Sequence, residues 1–512
     1  LLLYGDILGW SGAPTRALAV LEGVEPADAV LRASRDLRLS TALSRLGRSA
    51  EAGARLSSAL QASERMPERE RLKLRVALVG ALLAASRFAD LERLLGVTEP
   101  AIGAPAPTVF ATLAMATERG HAELARRILE HAHLLLDESL SLRFAVRYND
   151  LRLRAAFGPF DALDRDARAY LSDERMTVVP DFVVYLYGAQ VNAALLANTA
   201  PAHAPERGLE GENVTLVAAW RAIALLRRGE RCEVPARSRY TPEVELLVLR
   251  AHAELSLFDE APSDAAAQID ASLAIARSQG LRLEELALLA LKLDAQLLAA
   301  TGTQDGQARP AAAATAFELD RLATTLGSPR FRAEAALAQW ALSQAGSPAE
   351  LAHLCDEASE LSSPVAQRRA AALMGRPSSL DALDRKLVAA IAAGQTRAEA
   401  FVLDVLGKRV ALPSGAVVDL ANTPLHLKIL EVLFRAGGAA SKGELAVAAW
   451  GVNKYHPARD DKRMQVAMHR LRHALELDPA KPKWLVRTDD GYRVAAPMVL
   501  ASVDTPAAPE KL

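Results

Sequence analysis

Cysteine, aromatic residues and, over most of its length, lysine are scarce in this chain of 512 residues, and each scarcity excludes something. Cys232 and Cys355 are its two cysteines, far apart and outside any CxxC or Cys/His spacing. A disulfide framework and a zinc-ligand cluster are therefore excluded, and a reducing, cytoplasmic compartment with both thiols packed as small apolar groups is expected. Aromatic residues make up 5% and hydrophobic residues 51%, while 61 basic side chains nearly balance 62 acidic ones. The chain is thus neither a disordered tail nor a uniformly basic nucleic-acid coat, and a soft prior of roughly 150 residues per domain allows two to four domains. Long apolar runs are missing too. The longest uncharged stretch, Phe182 to Pro205, is interrupted by Gln190, Asn192 and Asn198, so its apolar part falls short of the roughly 20 residues of a membrane span. A buried helix is expected there, and no membrane partner. No basic start, apolar stretch and cleavage site open the chain. It begins at Leu1 rather than Met, which leads us to expect a fragment or trimmed chain, with a further domain upstream left open.

Catalytic signatures are also absent: no phosphate loop of the GxxxxGK type, no GxSxG elbow, no HExxH and no GxGxxG. His131 and His133 stand two apart on a helical stretch and so point in different directions, which argues against a shared metal. Glu284 with Glu285, and Asp460 with Asp461, read as solvated or capping charges, and Trp10, Trp220 and Trp340 as packing residues. We expect no enzyme, no cofactor and no metal.

What is present divides unevenly. Before residue 400 there are 45 basic and 50 acidic residues, and after it 16 and 12, so a net charge of -1 is the average of -5 and +4. Of 11 lysines only Lys73, Lys292 and Lys386 precede residue 400. Two differently composed modules follow from this. From Leu1 to about Met374 strong helix formers dominate and apolar residues recur at three and four. Segments around Gly47, Arg87 and Gly120 look like copies of one helix-turn-helix unit, 40 and 33 residues apart, and Ser272 to Lys292 continues the theme around Gly280. Glycine at such turns permits a left-handed helix stop. This region, residues 1–375, resembles degenerate tetratricopeptide-type repeats, which implies an α-solenoid with a concave binding surface. Breaks are expected at Ala202 to Gly211, Thr301 to Pro310 and Gly375 to Ser379, the last being the domain boundary, with a short linker helix from Leu380 to Ala393 within residues 376–398.

At residue 401 the periodicity changes. Phe401 to Leu412 and Ala416 to Leu420 read as short strands joined by turns. Thr423-Pro424 opens a helix to Arg435 that Gly437-Gly438 closes, and Ser441 with Glu444 forms a capping box opening a second helix to about Trp450. Asp460 or Asp461 is expected to cap a third helix from Lys462 to about Glu476, and Trp484 to Val494 reads as a hairpin turning at Asp490-Gly491. Residues 399–498 form this module, and 499–512 a flexible tail.

The quartet Leu430 to Leu433, Ser441-x-x-Glu-Leu445 with Trp450, His469-Arg-Leu-Arg472 with Leu475, and Arg487-Thr-x-x-Gly-Tyr-Arg493 resemble the OmpR/PhoB-type winged-helix DNA-binding domain. The resemblance covers roughly 100 residues, about a fifth of the chain. It implies that the third helix enters the major groove of double-stranded DNA, that the hairpin is a wing, and that the loop between the second and third helices can meet RNA polymerase. The family's contacts fall on Lys462, Arg463, Val466, His469, Arg470 and Arg472. Helix geometry supplies an independent argument. Met464, Met468, Leu471 and Leu475 step by four, three and four along a core-facing stripe. At about 100° per residue the opposite face carries Lys462, Val466, His469 and His473, with Arg463 and Arg470 on one flank and Arg472 on the other. Arginine presents a fork to guanine edges and phosphates, and Val466 can meet a thymine methyl. The wing departs from the family in carrying Asp489 and Asp490, which repel phosphate, so Arg487, Thr488 or Arg493 must make any wing contact.

The fold expected is mainly α: a tetratricopeptide-like α-solenoid followed by an α/β winged helix-turn-helix domain. The function expected is a bacterial-type DNA-binding transcriptional regulator whose repeats sense a protein, peptide or small ligand, as part of signal transduction. The repeats are further expected to form a homodimer or to cover Arg463 and Arg470 until a signal arrives. Two alternatives stand beside it: an interaction scaffold whose winged helix docks protein, and the C-terminal part of a larger signalling ATPase or kinase. No receiver domain precedes the module, so phosphorelay control is not expected.

Overall fold

The computed structural model describes the chain apart from residues 11–12, 47, 86, 101–105, 133–139, 174–179, 206–208, 210, 238–240, 303–307, 344–347, 361–362, 394–400, 406, 414–415, 454, 477, 497 and 501–512. It is mainly helical. The helical body opens with α1 (Leu2–Trp10), α2 (Pro14–Glu22), α3 (Ala29–Arg45), α4 (Ser49–Glu64), α5 (Glu68–Ala84), α6 (Phe88–Leu95), α7 (Ala106–Glu118), α8 (Ala122–Ala132), α9 (Leu140–Phe157) and α10 (Leu163–Leu171). It continues with α11 (Pro180–Ala197), α12 (Glu212–Arg228), α13 (Pro242–Phe258), α14 (Pro262–Gln279), α15 (Arg282–Gly302), α16 (Ala308–Leu326), α17 (Pro329–Leu342), α18 (Pro348–Glu360), α19 (Pro364–Leu373) and α20 (Ala382–Ala393).

Local chemistry sets many of these ends. Proline occupies the first turn of α2, α13, α14, α17 and α19, where its missing N–H leaves no intrahelical bond unmade. Gly120, Gly229 and Gly280 adopt positive φ of 77°, 87° and 70° at helix ends. Of the three repeated turns, Gly47 lies outside the described residues, Arg87 precedes α6 and Gly120 precedes α8. Thr301 and Pro310, expected in a break, belong to α15 and α16, and residues 303–307 lie outside the described residues. Consecutive helices pack on one another, and a continuous apolar core runs from Ala33 and Leu37 on α3 to Leu383 and Leu387 on α20. Cys355 is buried and Cys232 half-buried. Among the described residues no helix is long and apolar enough to cross a membrane.

The segment expected as a linker helix is built into the body instead. Arg369 on α19 donates through Nη1 and Nη2 to both carboxylate oxygens of Asp294 on α15, at 2.8 and 2.7 Å, and through Nε to Asp384 on α20 at 2.7 Å. Arg227 on α12 pairs with Glu254 on α13 at 2.7 and 2.8 Å and reaches Asp381, just before α20, at 3.3 Å. Charges this buried persist only with such partners, so α20 is held by its acids as well as by its leucines.

The C-terminal module follows: β1 (Phe401–Asp404), β2 (Arg409–Ala411), β3 (Val417–Asp419), α21 (Pro424–Arg435), β4 (Ala439–Ser441), α22 (Lys442–Trp450), α23 (Pro457–Leu475), β5 (Leu485–Arg487), β6 (Gly491–Val494) and β7 (Met498–Leu500). One sheet has the order β3-β2-β1-β7 and the other β4-β6-β5. β7 pairs parallel to β1, with Phe401 opposite Met498 and Leu403 opposite Leu500, so the module runs past residue 498 into what sequence suggested was tail. Ile429, Leu430 and Leu433 of α21, Leu445 of α22 and Phe401 of β1 close its core, with Phe401 edge-on to Trp484 at 5.9 Å. The body meets this module through α16 and the β1 sheet: Phe317 and Val402 bury one another, at 1% and 2% exposure.

Candidate nucleic-acid interface

The helix α22 begins with a complete capping box: Ser441 Oγ accepts from Glu444 N–H at 3.2 Å, and the Glu444 carboxylate accepts from Ser441 N–H at 2.8 Å. Gly451 ends the helix at φ 67°. The next helix, α23, starts at Pro457, five residues before the Lys462 expected. Asp460 does not cap forward. It sits inside the first turn and accepts backward from His456 N–H at 2.9 Å while pairing with Arg459 at 2.7 Å. The Arg459 pair first, and the His456 N–H second, hold its carboxyl down to about 2.

The apolar stripe of α23 is buried: Met464, Met468, Leu471 and Leu475 expose 0%, 1%, 0% and 2%. Lys462, Arg463, Val466, His469, Arg470 and His473 are exposed, which places six sequence-predicted residues on the solvent side of one helix. Gln465 is exposed beside them and was overlooked, although the same wheel puts it on the flank opposite Arg463; glutamine pairs with adenine edges. Arg472 differs from expectation. It is half-buried, and its Nε donates to the Leu485 carbonyl at 2.9 Å, tying the helix to the hairpin rather than facing solvent.

In the hairpin, β5 and β6 pair antiparallel with Val486 opposite Arg493, and Arg487 and Arg493 are exposed. Thr488 closes the turn: its N–H donates to the Gly491 carbonyl, and its Oγ1 accepts from Gly491 N–H, both at 3.0 Å. The loop is therefore Asp489-Asp490, both exposed, and not Asp490-Gly491. Gly491 lies in β6 opposite Ser441 because a Cβ there would collide with the Ala440 carbonyl oxygen and approach Ser441 Cα to 2.8 Å. Its glycine serves close backbone approach, a use the turn reading could not anticipate.

Lys462, Arg463, Arg470, Arg487 and Arg493 make no ion pair with a carboxylate among the described residues; the guanidinium of Arg463 instead lies 5.2 Å from the Trp450 ring. Asp461, the carboxylate nearest Lys462 in sequence, is engaged by the Tyr455 hydroxyl and by Lys442 Nζ at 3.1 Å, and these two hold its carboxyl below the usual range. His469 and His473 lie side by side, Nε2 to Nε2 at 3.1 Å. Arg463 and Arg470 are exposed, and the body meets the module through α16 against β1 and β7. Among the described residues no group of three or more His, Cys, Asp or Glu could hold a metal ion, and His133 lies outside them. No protein-family model matches the chain, and no curated protein matches it.

Proposed function

We propose that the C-terminal module is an OmpR/PhoB-type winged helix that binds double-stranded DNA, with α23 in the major groove and the β5–β6 hairpin as its wing, and that the helical body is a tetratricopeptide-like solenoid receiving a protein, peptide or small ligand. The chain is on this reading a transcriptional regulator. The observation that carries it is the exposed cationic surface: Lys462, Arg463 and Arg470 on α23 and Arg487 and Arg493 on the hairpin make no ion pair with a carboxylate among the described residues. A phosphate backbone supplies the missing counter-charge, and Gln465, Val466 and the arginine forks supply contacts to base edges. Arg472 acts as a positioning residue, holding the wing to the helix.

The test is a mobility shift of the full chain on random duplex at low salt. Binding is expected, with affinity falling as salt rises; Arg463→Ala with Arg470→Ala should weaken it and flatten the slope of log K against log salt by about 0.9 for each phosphate that is no longer neutralised. Unchanged binding by the double variant sinks the assignment of α23. The exposed Asp489 and Asp490 at the wing tip favour a second reading, a scaffold that docks a basic protein surface. Asp489→Asn with Asp490→Asn tightens duplex binding if the wing lies along DNA; absence of duplex binding by the unaltered chain favours the scaffold.

A further inference from the structure

Within the helical body, α7, α9 and α11 surround a cavity of about 130 Å³ whose walls are unusually aromatic for a chain with so few such residues. A single ordered water needs only about 10–15 Å³, so the space suits a small organic molecule. Phe144 stacks on Phe182 with centroids 4.2 Å apart and on Tyr148 at 5.5 Å, and Tyr185 stands edge-on to Tyr148 at 5.6 Å.

Besides the hydroxyls of Ser44, Thr241, Tyr148 and Tyr185 and the Arg152-paired Glu118, three side chains bring acceptor oxygens to this cavity. Glu212 and Glu243, from the first turns of α12 and α13, line it together with Asn149. Asn149 is 1% exposed; its Nδ2 donates to Ala145 O at 2.9 Å, and its Oδ1 has no partner. Glu212 accepts from Thr241 N–H and Oγ1, both at 2.7 Å, and Tyr185 hydrogen-bonds Glu243. Neither carboxylate has an ion pair among the described residues. Arg152, the cation nearby, is committed to Glu118 and, at 2.7 Å, to Glu284. Burial pushes both carboxyls up, Glu212 to about 7, against the two Thr241 hydrogen bonds on Glu212 and the charge of Arg152 on Glu243.

We propose that this cavity takes an organic cation bearing N–H donors, a primary ammonium or guanidinium on an apolar carrier, with the aromatic side chains around the carrier and Glu212, Glu243 and Asn149 Oδ1 accepting its hydrogen bonds. The aromatic lining suits the apolar carrier, and the three acceptors select a head group that can donate. The assignment rests on the reading of the body as the ligand-receiving part.

Benzylammonium, benzyl alcohol and benzoate share a carrier and differ in charge, and titration calorimetry of the full chain without DNA, at about pH 8 where Glu212 is ionised, separates them. Saturable binding of benzylammonium alone is expected, weakened about tenfold or more by Glu243→Gln. Equal binding of benzyl alcohol, preference for benzoate, no saturable binding of benzylammonium, or an unaltered affinity in the variant overturns the proposal. Should Glu243→Gln fail to fold, Glu212→Gln provides the same comparison. Duplex binding is measured separately, so a cavity that takes no amine leaves the DNA reading standing, and the converse holds.

Discussion

Arg409 on β2 donates through Nη1 to Asp320 on α16 at 2.8 Å, with its guanidinium carbon 5.1 Å from the Phe317 ring. The same arginine reaches back to Asp404 at 3.4 Å, whose carboxylate also lies 3.7 Å from Arg321. The join between body and module is therefore an aromatic contact rimmed by two crossing ion pairs. The two parts should contribute unequally. Phe317→Ala should cost about 3–5 kcal/mol, as for other buried aromatics, and Asp320→Asn about 0.2–1 kcal/mol, because both members of that pair are partly solvated. Amide hydrogen exchange in β1 and β2 reads the difference: strong acceleration for Phe317→Ala and little for Asp320→Asn.

Gly491→Ala should cost about 1–3 kcal/mol, since the new methyl meets backbone that cannot step aside. β6 is the central strand of its sheet, so the hairpin should detach from β4 and duplex binding should fall with it. Denaturant unfolding and the mobility shift, measured on the same preparation, check both halves.

Arg369→Met should destabilise the body by about 3–5 kcal/mol, because it leaves buried Asp294 without its ion-pair partner and Asp384 with Arg368 alone, at 3.9 Å. The expected signature in denaturant is a lower midpoint for the helical body. A loss below about 1 kcal/mol would show that these carboxylates find water or other partners.

Glu212 makes the stability of the body pH-dependent. Burial raises its carboxyl from 4.5 to about 7 in the fold, so the native state holds the proton that the unfolded chain releases. The favourable contribution is complete below about pH 4.5 and is lost as pH rises through about 7, by up to about 3 kcal/mol. Glu212→Gln should flatten that slope and leave the protein more stable than the unaltered chain at about pH 8. Thermal melts across this range decide it.

How much was legible follows from how local each feature is. The buried stripe Met464, Met468, Leu471 and Leu475 and the capping box of Ser441 and Glu444 are readable because spacing within a few residues specifies them. The start of α23 was misplaced by five residues because an aspartate near a helix start reads as a forward cap, whereas Asp460 bonds backward to His456. Arg472 and Arg470 are chemically identical neighbours. Only the approach of Leu485, thirteen residues on, takes one of them out of the solvent face. The aromatic cavity has no signal in the sequence, since Phe144, Phe182 and Glu243 come from three helices and share no motif.

By itself, then, the sequence determined the helical character of the body, the change of periodicity at residue 401 and the basic face of α23, all consequences of propensity and period that act over one or two turns. Tertiary structure decided what each face meets: that α20 is welded into the body by Arg369 and Arg227, that β7 pairs with β1 across nearly the whole module, that α16 packs against β1 and β7. A side chain's type sets what it can bond, but which partner it finds depends on chain segments far apart in sequence, and only the folded backbone brings those together.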